Sequence, residues 1–134
     1  MQTREFEIAL STFENLRGRF PALSMNLDLR PAHVEVAMDI PAQPGLSFEV
    51  HLNLQNRDEL HLVASAFWCE WFPCSNPKKV ERYIEAVSGL LVPRCQGLCG
   101  KDPLKLQVPR GDIRPKSTCP VIRLIGSWGR CLAR

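Results

Sequence analysis

No stretch of this 134-residue chain approaches the roughly 18 consecutive apolar residues that a membrane-spanning helix needs. The opening Met-Gln-Thr-Arg-Glu-Phe-Glu carries an early acidic pair and no apolar h-region, so no secretory signal is expected. A cytosolic address is the resulting expectation, and there six cysteines should mostly be thiols, buried or metal-bound, rather than disulfides. Internal repeats are absent. So is the two-residue spacing of a zinc knuckle or redox pair, because Cys95 and Cys99 are separated by three residues. No histidine follows His61, and nothing local to any cysteine supplies the base that a catalytic thiol requires. Glu is missing altogether after residue 91, and the only aromatic there is Trp128. Stacking platforms for single-stranded nucleic acid are therefore missing from the most basic part of the chain. An enzyme is not expected, and no cofactor is implied.

What is present divides near residue 91. Residues 1–91 carry 8 Lys+Arg against 12 Asp+Glu, a net −4; residues 92–134 carry 9 against 2, a net +7; together they give the +3 of the whole chain. The same boundary separates Cys69 and Cys74 from Cys95, Cys99, Cys119 and Cys131. At 45% hydrophobic and 23% charged, the chain fits one domain with a real core rather than wholesale disorder.

Periodicity organises the first part. Phe6, Ala9, Leu10, Phe13 and Leu16 recur at helical spacing over 3–17, with Gly18 as the expected C-cap. The period then falls to two. Leu23 to Leu29, Val34 to Ile40 and Leu46 to Leu54 each alternate apolar with polar residues, which predicts three half-buried strands. A fourth strand is expected from Leu60 to about Trp71, losing strict alternation after Val63. Ser75-Asn76-Pro77 reads as a helix start, and Val80, Tyr83, Ile84, Val87, Leu90 and Leu91 form one apolar face beyond it. The expected fold is α+β: a helix, a four-stranded antiparallel meander, and a second helix on the same face. From Val92 onward five Pro and five Gly fall in 43 residues. Three readings stay open there: a mobile basic extension, short edge strands near Leu104–Val108 and Val121–Ile125 held by cysteines, or an out-of-frame read of GC-rich coding sequence.

Candidate sites follow from placement. Pairing the strands by shortest hairpins puts Asp28, Glu35, His51 and His61 in one row on the polar face. Two imidazoles with carboxylates are the material of a zinc site, but an open polar face supplies no pocket, so solvated residues are the plainer expectation. A register two residues different would leave the histidines diagonal. Phe67, Trp68, Trp71 and Phe72 crowd the end of the fourth strand, and those facing away from the helices would expose an interface. Cys95, Cys99, Cys119 and Cys131 are a weaker candidate for four-thiolate zinc. Gly97 to Asp102 departs from a phosphate loop at both ends, and Arg110-Gly111-Asp112 has no extracellular setting; both read as chance.

The leading expectation is a small cytosolic protein-binding or self-associating module, dimeric or holding a protein partner. It would use the aromatic strand end and a free sheet edge, in the manner of small chaperones, immunity proteins or oligomer subunits. The alternatives are metal binding, and weak non-specific nucleic-acid contact by the basic tail without sequence readout.

Overall fold

Thr3 opens helix α1 (Arg4–Arg19), its side chain accepting a hydrogen bond from the Phe6 N–H at 3.2 Å in a computed structural model that describes residues 2–64, 67–92 and 130–133, backbone only at Phe67 and 130–133. Glu5 and Glu7 lie in its first turn and Arg17 and Arg19 in its last, the distribution that the helix dipole favours. The helix runs through Gly18 rather than stopping there. Phe20 is its C-cap, its N–H donating to the Leu16 carbonyl.

Strands β1 (Asn26–Asp28), β2 (Val36–Ile40), β3 (Val50–Gln55), β4 (Glu59–Ala64) and β5 (Phe67–Trp71) form an antiparallel meander. A last strand, β6 (Arg130–Ala133), pairs with β5. Helix α2 (Pro77–Leu91) follows β5, capped by Asn76 on the Lys78 N–H with Pro77 in its first turn. The expected α+β arrangement is the one observed, but its strands divide differently. The single strand expected from Leu60 to Trp71 is two strands, β4 and β5, paired antiparallel with each other. Ala64 pairs with Phe67, and the core-facing positions change parity from Leu60, Leu62 and Ala64 to Cys69 and Trp71.

Both helices cover one sheet face, α1 against β2 and β3, α2 against β4 and β5. Every second residue of each central strand enters that core: Val36, Met38 and Ile40, then Val50, Leu52 and Leu54, then Leu60 and Leu62. Burying each such aliphatic side chain contributes about 1.5–3 kcal/mol, which is what selects this face over the other. Trp71 packs edge-on against Tyr83 of α2, ring centroids 5.3 Å apart. The Tyr83 hydroxyl donates to the His61 carbonyl at 2.9 Å and ties α2 to the middle of β4. No helix among the described residues is long and apolar enough to cross a membrane.

Cys69 is disulfide-bonded, so the expectation of reduced thiols does not hold at that position. Its backbone register partner on β6 is Cys131. Cys74 is a buried free thiol. Cys95, Cys99 and Cys119, the glycine-rich string at 97–102, the Arg-Gly-Asp string and the two short strands expected in the tail lie outside the described residues, as does the side chain of Cys131.

Candidate functional site

The helix-free face of the sheet carries the alternate residues: Asp39 on β2, His51, Asn53 and Gln55 on β3, Glu59, His61 and Val63 on β4, Trp68 and Glu70 on β5. Register decides which of them meet. Val36 pairs with Leu54, so Asp39, not Glu35, lies opposite His51. Asp28 lies opposite Ala37. Asn53 lies opposite His61, which leaves the two histidines diagonal. The expected row of Asp28, Glu35, His51 and His61 does not form. Each of the three hairpins contributes: β1 pairs Asp28 with Ala37, the β3–β4 turn at 56–58 pairs Leu54 with Leu60, and between β2 and β3 residues 41–49 make an excursion with their own Gln43–Leu46 bridge instead of a tight hairpin. Leu46 is buried in the core there, and Gln43 braces Ser24 through both its amide atoms. Glu35 turns to the next hairpin, where its Oε1 accepts from the Arg57 N–H at 2.9 Å.

His51 and His61 consequently have different environments. His51 Nδ1 lies 2.6 Å from Asp39 Oδ1 and its Nε2 3.5 Å from Glu49, all three side chains well exposed. Such a solvated pair is worth at most about 1 kcal/mol. His61 is 1% exposed although it points away from the helices. Trp68 lies beside it, the two rings 5.0 Å apart and tilted by 37°. The indole N–H donates to His61 Nδ1 at 2.6 Å, and Gln55 Nε2 reaches the same nitrogen at 2.6 Å. An indole nitrogen is a donor only. Nδ1 must therefore be the acceptor, and the ring proton sits on Nε2. That proton points at two carboxylates, Glu59 Oε2 at 3.0 Å and Glu70 Oε2 at 3.8 Å. Glu59 also accepts from the Asn56 side-chain amide at 2.8 Å; that bond foremost, with the His61 contact second, holds its carboxyl below the usual range. Asn53 Oδ1, on the strand position across from His61, is buried and has no hydrogen-bond partner among the described residues.

Glu59, His61 and Glu70 each offer one ligand atom, and those atoms lie within 4.8 Å of one another. Two of the three escaped the sequence reading. Glu59 is two residues from His61 and so shares its face, a signal that was legible. Glu70 reaches the cluster only because β4 and β5 are separate strands that pair His61 with Glu70.

The aromatic group divides. Trp71 is 2% exposed and belongs to the core. Trp68 lies on the helix-free face, partly exposed, and Phe72, just past β5, is 43% exposed. The side chain of Phe67 is outside the described residues. The edge of β5 is taken by β6, so the sheet's two edge strands among the described residues are β1, three residues long, and β6, four residues long. Comparison with protein-family models, curated proteins and solved structures finds no match.

Proposed function

We propose that this chain is a non-enzymatic self-associating module, and that two copies meet through the helix-free face around Trp68. The observation that carries the reading is the state of that side chain. Trp68 is an aromatic on the face that neither helix covers, and its indole is anchored to a buried histidine. A large ring held in one rotamer loses little entropy on contact, which is the usual character of an interface anchor. Phe72 extends the same aromatic end outward. A second copy presenting the same patch would satisfy two-fold symmetry without any further partner.

The test is sedimentation velocity across a concentration series, paired with urea unfolding. Full-length protein should associate as concentration rises. Trp68→Ala and Phe72→Ala should each shift the equilibrium toward monomer while the unfolding midpoint changes little for Phe72→Ala. Trp71→Ala should instead destabilise the monomer by about 3–5 kcal/mol, the usual cost of emptying a buried aromatic site. Full-length protein that stays monomeric at every concentration, or association indifferent to both surface variants, would reject the proposal.

A further inference from the structure

We infer that Glu59, His61 and Glu70 form a binding site for a divalent cation of the zinc class, and that loading it releases Trp68 from His61. The inference is independent of the self-association reading, because it needs only the geometry of β4 and β5.

Three features converge. The first is distance. A cation bound at about 2.1 Å in tetrahedral geometry holds its ligand atoms about 3.4 Å apart. His61 Nε2 stands 3.0 Å from Glu59 Oε2 and 3.8 Å from Glu70 Oε2, on either side of that value. The third edge closes within the 4.8 Å that bounds the group. Small side-chain adjustments complete the triangle. The second is charge and ligand type. Two carboxylates and one neutral imidazole match a doubly charged borderline cation and leave a coordination position to water. The third is support. His61 is 1% exposed on a central strand, and its carbonyl is held by Tyr83, so one ligand is already fixed. Glu59 is oriented by Asn56.

The proton on His61 sets the condition for loading. Coordination through Nε2 requires a lone pair where the ring now carries its hydrogen. The hydrogen must pass to Nδ1, which is then a donor facing the donor-only indole of Trp68 and the amide of Gln55. The amide can turn its oxygen toward Nδ1; the indole cannot reverse its role. Metal loading therefore breaks the Trp68–His61 bond with no net proton released, and Trp68 works against the metal. A ligand histidine ordinarily donates its second N–H to an acceptor, which is the arrangement Gln55 Oε1 would supply once Trp68 has moved.

The experiment is a titration of full-length, unmodified protein with Co²⁺, read by its visible spectrum and by native mass spectrometry. The expected result is one ion with a nitrogen–oxygen ligand spectrum and no thiolate charge-transfer band. Glu70→Gln and Glu59→Gln, which keep shape while removing charge, should each weaken binding about tenfold or more. Trp68→Phe should tighten it severalfold, approaching the tenfold that one net hydrogen bond represents. No bound ion, a thiolate spectrum, or an affinity unchanged by Glu70→Gln overturns the site. Binding that survives in the wild type but weakens in Trp68→Phe overturns the coupling.

Discussion

At the scale of single residues, side chains of one type take opposite roles according to the face they occupy. Trp68 and Trp71 are three apart and both sit on β5, yet one anchors to His61 on the helix-free face and the other fills the core against Tyr83. Sequence alone grouped them. Cysteine 74 shows the same dependence on surroundings. Burial pushes its thiol up to about 11, with Glu5 and Asp58 adding to the effect. A thiol raised this way is reluctant to ionise, so the folded chain should leave Cys74 unreactive to alkylation near neutral pH while the unfolded chain reacts. The sign for stability follows from proton linkage. The folded state holds the proton more tightly than the unfolded one, so its contribution is fully present below about 9 and is lost as pH rises through about 11. Urea midpoints compared near pH 8 and near pH 10 should fall further for the wild type than for Cys74→Ala. Equal losses in the two proteins would show that the thiol does not couple to folding.

At the scale of elements, apolar periodicity carried most of the information. The face of α1, the three strands around Met38, Leu52 and Leu62, and the Asn76-Pro77 start of α2 were all legible, because burial of one face is a strong and local signal. Register was not, because it depends on where each turn sits. The nine-residue excursion at 41–49 moved Asp39 into the place expected for Glu35, and the sequence between Ala64 and Phe67 holds neither Gly, Pro, Asn nor Asp to announce a break between two strands. The loss of alternation after Val63 was its trace, a parity change that reads equally well as a strand apolar on both faces. The candidate cation site suffered most, since Glu70 joins it only through that hidden hairpin.

The β3–β4 hairpin offers an element-scale prediction. Asn56 and Arg57 have φ of 53° and 75°, and the left-handed region is tolerated by Asn but strained for Arg. The Arg57 interaction that matters structurally is its backbone N–H donating to Glu35, which glycine retains. Arg57→Gly should therefore raise stability by about 1 kcal/mol, seen as a higher urea midpoint at unchanged slope. A lower midpoint would mean that the arginine side chain, rather than the turn geometry, holds this corner.

At the scale of the whole molecule, the charge division supplies a competing route to association. The part before residue 92 is net −4 and the part after it net +7, so copies can attract head to tail through opposite ends without using Trp68 at all. Such contacts are heterologous and give open chains of subunits, whereas the aromatic face gives a closed pair. Salt separates the two. The screening length is about 10 Å at 0.1 M and about 3 Å at 1 M, so exposed opposite charges are largely silenced toward the upper end while apolar contact persists. Sedimentation at about 0.1 M and about 0.5 M salt should show the same dimer fraction if the helix-free face is the interface, since desolvated aromatic area is indifferent to ionic strength over that range. Dissociation at the higher salt, with larger species at the lower, would assign association to the charge division instead. Trp68 would then serve to hold the buried His61, to which its indole N–H donates, rather than to join two copies.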